Sequence, residues 1–231
     1  MNVCIIPARG GSKRIPRKNI KLFHGKPMIA WSIEAAIKSE CFDRIICSTD
    51  DEEIADVAKK YGAEIPFLRP KILSNDFIGT GPVVAHAIEY LKMSEEKVDL
   101  VCCVYATAPF ILAEYLQESF QQMKNTNIDY CFSVTSYPFP IQRSIRITKE
   151  YRCEMFQPEM LNVRSQDLEE AYHDAGQFYW GKVDAWTTEG SNCFSNKSIP
   201  YVLPRHRVQD IDTMEDWKMA ELMFTNKDKV L

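Results

Sequence analysis

Between residues 8 and 19 the chain reads Ala8-Arg9-Gly10-Gly11-Ser12-Lys13-Arg14-Ile15-Pro16-Arg17-Lys18-Asn19, a glycine turn crowded with cations. It follows directly on the apolar run Val3-Cys4-Ile5-Ile6. A loop of this kind, placed after a buried strand, is suited to phosphate: exposed backbone N–H groups and side-chain cations converge on one anion. Seven Lys or Arg fall before the first acid, Glu34, although the whole chain carries a formal charge of −4. The basicity is therefore local. A solvated basic face or a nucleic-acid patch is the competing reading. The glycines and neighbouring prolines favour a shaped loop over a helix face. The glycine spacing is neither that of a P-loop nor that of a dinucleotide fingerprint.

A second group lies near the other end of the chain, in Val208-Gln209-Asp210-Ile211-Asp212. In extended backbone, residues two apart point the same way, so Asp210 and Asp212 share a face opposite Ile211. Two carboxylates beside phosphates suit Mg²⁺, which takes oxygen ligands and shares substrate phosphates. The alternative is that both aspartates merely cap the last helix. Taken with the basic loop, the pair points to phosphoryl chemistry on a nucleoside triphosphate. There Lys and Arg hold the phosphates, and Mg²⁺ relieves the charge growing on the leaving pyrophosphate.

These groups need a scaffold that brings them together. Residues 2–6, 44–49, 64–67, 100–105 and 130–135 read as strands, and 28–40, 52–61, 82–93 and 113–124 as helices. Such alternation predicts an α/β fold with a mostly parallel sheet and right-handed crossovers. Ligands bind these sheets at the carboxyl ends of the strands. The basic loop, Ser48-Thr49-Asp50 and Thr107-Ala108-Pro109 should then share one rim. Residues ~140–205 are less regular and read as a lid or oligomerisation insertion within a single domain, 1–231. A strand returns at 200–204. A final helix starts near Thr213, where Thr213-x-x-Asp216 resembles a capping box.

Composition narrows the partners. Hydrophobic residues make up 45% and charged residues 26%, an ordinary globular balance. The mild acidity argues against general nucleic-acid binding. No apolar run reaches ~18 residues, so no membrane span is expected, and no signal peptide is evident at the start. Of eight cysteines, Cys4, Cys47, Cys102, Cys103 and Cys131 sit inside apolar runs, and no Cys-x-x-Cys pair occurs. They read as buried free thiols of a reducing cytoplasm rather than as zinc ligands or disulfides. The four histidines, His24, His86, His173 and His206, are scattered.

The basic segment, through Lys18-Asn19, resembles the first signature of the sugar-acid cytidylyltransferases, the family of CMP-sialate synthetases. Ser48-Thr49-Asp50, Phe67-Leu68-Arg69-Pro70 and Asp210-Ile211-Asp212-Thr213-x-x-Asp216-Trp217 follow in the family's order. The resemblance implies a Rossmann-like nucleotidyltransferase fold, usually dimeric, with helices on both faces of the sheet. It implies transfer of CMP from CTP to the anomeric hydroxyl of a nonulosonic or related keto-deoxy sugar acid, with release of pyrophosphate. By the same resemblance Arg9, Gly10, Gly11, Ser12, Lys13, Lys18, Asn19, Arg69 and Thr80 hold the nucleotide. Asp210 and Asp212 hold Mg²⁺, and Arg9, Lys13, Lys18 and Asp212 form the catalytic set. Cytosine itself rests on the resemblance, because phosphate loops are blind to the base.

The sugar side departs from the sialate pattern. Where those enzymes typically read Gln-Pro-Thr-Ser-Pro-Leu-Arg, this chain has Tyr105-Ala106-Thr107-Ala108-Pro109-Phe110-Ile111. Two polar positions have become Tyr105 and Ile111, which favours a less polar sugar, since a buried polar group without a partner is costly. With Ser136-Tyr137-Pro138-Phe139-Pro140-Ile141-Gln142-Arg143 and Gly176-Gln177-Phe178-Tyr179-Trp180, the segment resembles the pseudaminate-activating branch. Its substrate is a 9-deoxy, diacetamido nonulosonic acid of bacterial surface and flagellar glycans. Tyr105, Thr107, Gln142, Arg143 and Gln177 are the expected sugar-side residues. The alternatives are an enzyme for N-acetylneuraminic, legionaminic or keto-deoxy-octulosonic acid, or a non-catalytic nucleotide-sugar-binding protein.

Overall fold

The computed structural model describes residues 1–124, 127–227 and 229. The elements run β1 (Asn2–Pro7), β2 (Leu22–Phe23), β3 (Lys26–Pro27), α1 (Met28–Ser39), β4 (Arg44–Ser48), α2 (Glu52–Lys60), α3 (Thr80–Met93), β5 (Leu100–Val104) and α4 (Ala113–Lys124). Then follow β6 (Tyr130–Ser136), β7 (Ile145–Ile147), β8 (Cys153–Met155), β9 (Tyr172–Lys182), α5 (Val183–Thr187), β10 (Ser198–Val202) and α6 (Met214–Asn226). The main sheet has the order β10-β6-β9-β5-β1-β4. β1 lies parallel to both β4 and β5, and β10 lies parallel to β6.

The expected alternation of strands and helices is present through β6. One expected strand is not: residues 64–67 make only a bridge between Glu64 and Ile46. Pro66 supplies no N–H to extend the pairing. A larger difference concerns the segment read as an insertion. Residues 172–182 form an eleven-residue strand in the middle of the sheet, antiparallel to both β5 and β6. Phe178 and Trp180 are fully buried there. The irregular portion is therefore shorter. It includes the small β7–β8 hairpin, which is separate from the main sheet.

Side chains alternate across the sheet. Cys4, Ile6, Cys102, Val104, Phe178 and Trp180 join Ile29 and Ile33 of α1 and Leu116 of α4 on one face. Val3, Ile5, Val101, Cys103 and Tyr179 join Val84, Ile88 and Leu91 of α3 on the other. Strands covered on both faces need continuous apolar runs, which is why β1 and β5 show no polar alternation. The strand cysteines act as small core residues: burial pushes the thiols of Cys47 and Cys131 each up to about 12. On α6 Trp217, Ala220 and Phe224 are buried, while Leu222 is exposed. Ile37 in α1 is also exposed.

Candidate active site

A small third core explains how two motifs nearly two hundred residues apart meet. Ile15 of the basic loop and Ile211 of the Asp-Ile-Asp segment are both fully buried in one cluster with Phe23, Met28, Phe110 and Trp217. Burying these side chains fixes the loop against the start of α6. Lys18 completes the joint: its Nζ donates to the Ile211 carbonyl at 2.5 Å and lies 3.4 Å from Asp212 Oδ1. At the start of α6, Thr213 Oγ1 accepts from the Asp216 N–H while Asp216 Oδ2 accepts from the Thr213 N–H, a complete capping box. Thr213 is thereby the N-cap and Asp216 its partner three residues on, so Asp210 and Asp212 are not spent on capping.

The loop itself is held in shape from behind. Asn19, buried, donates through Nδ2 to the Arg9 carbonyl at 3.0 Å. Gly10 N donates to Asp50 Oδ1 at 3.0 Å. A Cβ on Gly10 would lie 2.5 Å from Asp51 Oδ2, so only glycine lets the loop press against the start of α2. Arg17 turns away from the cavity and clamps Asp51, through Nη1 at 2.5 Å and Nη2 at 2.9 Å.

The result is a cavity of about 540 Å³ at the carboxyl ends of the strands. Arg9, Lys13, Arg14, Lys18 and Arg69 line it, with Asp76 and Asp212 the acids in its wall. Ser12, Asn19, Asn75, Thr80, Tyr105 and Thr107 complete the polar lining. Gly79 and Thr80 stand at the amino end of α3, adding unpaired N–H groups and the positive end of a helix dipole. Arg69 is buried, and its Nη2 has no hydrogen-bond partner, although Asp50 Oδ1 lies 3.7 Å away. Burial lowers its basicity, and the Asp50 charge opposes that. A buried guanidinium with a spare donor at a cavity wall is a ready anion contact.

Both acids are engaged. Asp76 accepts from Arg9 Nη1 at 2.6 Å and from Lys13 Nζ at 2.5 Å, and those two cations hold its carboxyl below the usual range. Asp212 Oδ2 pairs with Arg14 at 2.8 Å. Asp210 is exposed and stands outside the cavity lining. Desolvation by the surrounding protein, followed by the neighbouring Asp212 charge, nonetheless raises its carboxyl above the usual value. Two carboxylates two residues apart offer oxygen donors of the kind a divalent cation takes. Among the described residues, no three His, Cys, Asp or Glu cluster as a fuller ligand set. An ion that keeps waters and substrate phosphates does not need one.

A smaller cavity of about 240 Å³ adjoins the first, sharing Thr80 and Tyr105. Tyr130, Tyr179, Trp186 and Phe194 give it aromatic walls, and Asp174 and Cys193 also line it. Tyr105 OH and Thr80 Oγ1 are 3.0 Å apart at the junction.

Of the residues expected from sequence, Arg9, Ser12, Lys13, Lys18, Asn19, Arg69, Thr80, Tyr105, Thr107 and Asp212 line the larger cavity. Gly10 and Gly11 shape the loop beside it. Three sugar-side expectations lie elsewhere. Gln142 donates to the Glu169 carbonyl and Arg143 to the Val163 carbonyl, both within the irregular segment. Gln177 is buried and donates to the Arg207 carbonyl at 2.5 Å. None of the three lines either cavity. Sequence reasoning passed over Arg14, Asp76 and Asp174 as site residues. Arg14 stood inside the quoted loop; the two acids carry no local signal.

A family model described as Cytidylyltransferase matches residues 3–209. The chain belongs to the cytidylyltransferase family. This cytidylyltransferase is 47% identical over 223 residues to the pseudaminic acid cytidylyltransferase of Campylobacter jejuni subsp. jejuni, covering 96% of each chain. It is 33% identical to the CMP-N,N'-diacetyllegionaminic acid synthase of Legionella pneumophila subsp. pneumophila, over 99% of each. The fold matches a CMP:2-keto-3-deoxy-manno-octonic acid synthetase solved with CTP at a TM-score of 0.69, with 15% identity over 98% of this chain and 99% of that one. The expected α/β nucleotidyltransferase fold is thus the observed one. No described helix is long and apolar enough to cross a membrane.

Proposed function

We propose that this cytidylyltransferase transfers CMP from CTP to the anomeric hydroxyl of pseudaminic acid, giving CMP-pseudaminic acid and pyrophosphate. The observation that carries the reading is the cavity at the strand ends, where Arg9, Lys13, Arg14, Lys18 and Arg69 converge beside Asp212. A triphosphate is the ligand whose charge such a lining balances. The sugar comes from the likeness to the Campylobacter enzyme and from the aromatic cavity next to the first.

In the reaction the anomeric oxygen forms a bond to the α-phosphorus. The bond to the bridging oxygen breaks, pyrophosphate carries off the electron pair, and the hydroxyl proton is lost. Arg9, Lys13 and Lys18 hold the phosphates and oppose the charge that grows on the leaving group. Arg69 and the amino end of α3 add fixed positive potential without reorganising. Asp212, with Asp210 beside it, is the pair that would hold Mg²⁺. When bound, that ion supplies charge neutralisation at phosphate oxygens. The larger cavity's lining includes no His or Cys, so proton removal is not assigned to either side-chain type there.

The unit works as a homodimer in a reducing cytoplasm, in service of surface or flagellar glycosylation. All eight cysteines are free thiols, which suits that compartment. The irregular arm exposes Phe139, Ile145, Ile147, Phe156 and Leu161, an apolar surface that suits a second copy of the chain. The deciding assay is pyrophosphate release with CTP, Mg²⁺ and either pseudaminic or N-acetylneuraminic acid. Release with pseudaminate alone is expected. Release only with the sialate would overturn the sugar assignment and keep the reaction.

A further inference from the structure

Asp174 is a carboxylate in the wall of a largely aromatic cavity, and among the described residues no cation lies within ion-pair distance of it. It is placed there by a backbone irregularity. β9 pairs with β6 through a register shift between Phe132 and Val134, and Asp174 is the partner of Val134 just beyond it. Gly176 takes a left-handed φ of 62° and donates its N–H to Asp174 Oδ1 at 2.8 Å. Tyr179 OH lies 2.8 Å from Oδ1 and 2.6 Å from Oδ2. Two hydrogens therefore serve a group that can accept about four. A partly buried carboxylate with spare acceptor capacity and no counter-charge calls for donors from whatever fills the cavity.

We propose that Asp174 is a specificity-determining residue for the sugar: its carboxylate accepts an N–H or O–H from ring carbons remote from the anomeric centre. This rests on the sugar-acid transfer just described. The same charge repels the sugar's own carboxylate. In an ulosonic acid that carboxylate sits on the anomeric carbon itself. Asp174 thus turns the donor-rich end of the sugar into the aromatic cavity. The anionic, reacting end is left at the Tyr105–Thr80 junction, where the cation-lined cavity begins. One acid and one set of cations, in adjoining spaces, give the substrate a single productive direction.

The test measures KM for the sugar acid and for CTP in the unaltered enzyme and in Asp174→Asn. The sugar panel is pseudaminate, an analogue whose acetamido N–H groups are replaced by ester oxygen, and analogues lacking single ring hydroxyls. The unaltered enzyme should lose about tenfold in KM for at least one donor-deleted analogue. Asp174→Asn should lose about tenfold for pseudaminate, should no longer discriminate against that analogue, and should keep its KM for CTP within about twofold. If no donor deletion raises KM in the unaltered enzyme, the proposal is wrong, whether or not the variant folds. A variant weakened equally toward CTP, pseudaminate and every analogue would make Asp174 a structural residue only. Absence of turnover by the unaltered enzyme with every sugar acid tried would instead bring down the reaction assignment on which the proposal stands.

Discussion

At the residue scale, the two acids in the cation-lined cavity have opposite expected roles. In the proposed reaction Asp212 is the carboxylate that a metal ion and the triphosphate would share. Asp212→Ala should lower kcat by roughly 10³-fold, the scale of losing a group that stabilises developing charge, while the thermal melt shows an intact fold. Near-normal turnover would remove Asp212 from the site. Asp76 instead sets its carboxylate between Arg9 and Lys13, where the proposed reaction would seat a phosphate. Asp76→Asn should therefore lower KM for CTP by about threefold, the modest effect of releasing solvent-exposed ion pairs. Its kcat should stay near that of the unaltered enzyme. A raised KM would mean that Asp76 orients the two cations rather than competing for them.

At the element scale, the joint between the basic loop and α2 is set by Asp51. It caps α2 by accepting from the Ile54 N–H at 3.0 Å, and it receives both Arg17 contacts. The Arg17 hydrogen bond, working against desolvation, holds its carboxyl below the usual range. Unfolded, an aspartate titrates near about 3.9. The folded value is lower, so the stabilisation is fully present above the unfolded value and disappears as pH falls through the folded one. Arg17 is more than a third exposed, so solvent screens the pair. Asp51→Asn, which keeps a competent cap, should cost about 1 kcal/mol at pH 7 and nothing once pH falls below the folded value. Urea melts at pH 7 and at successively lower pH check this, and a gap that does not change with pH would rule out the ion pair as its source. The same joint explains why Gly10 admits no side chain.

At the scale of the whole molecule, the irregular arm exposes Phe139, Ile145, Ile147, Phe156 and Leu161, the apolar face that the proposed dimer would cover. In the β7–β8 hairpin Ile145 and Ile147, two residues apart on one strand, are both exposed and pair with Met155 and Cys153. The double substitution Ile145→Lys with Ile147→Lys should turn a dimer into a monomer by sedimentation velocity, because buried like charges at an apolar contact are costly. The cation-lined cavity lies on other elements, and the variant's melt should still show a folded chain. An unaltered protein that sediments as a monomer would remove the dimer from the proposal.

The sequence by itself determined the parts that depend on local pattern. Apolar runs alternating with helical periodicity set the parallel core. The Gly10-Gly11 turn with its cations, and the spacing of Asp210 and Asp212, marked out the groups proposed for phosphate and metal chemistry. Only the tertiary structure decided how those parts combine. β9 was hidden because an antiparallel strand buried on both faces, interrupted by Gly176 and polar Gln177, lacks the clean alternation that marks a strand. Gln142 and Arg143 were expected at the sugar from the resemblance of their segment, but a motif says nothing of direction, and each donates to a carbonyl within the arm. Asp76 and Asp174 gave no local signal. Their roles come from what stands opposite them: two cations in one case, an aromatic cavity without a cation in the other. Ile15 and Ile211 show the same division. Each reads as an ordinary apolar residue, yet their burial in one small core brings the phosphate loop and the paired acids together. Local pattern fixes which groups can do chemistry; long-range packing fixes which of them meet.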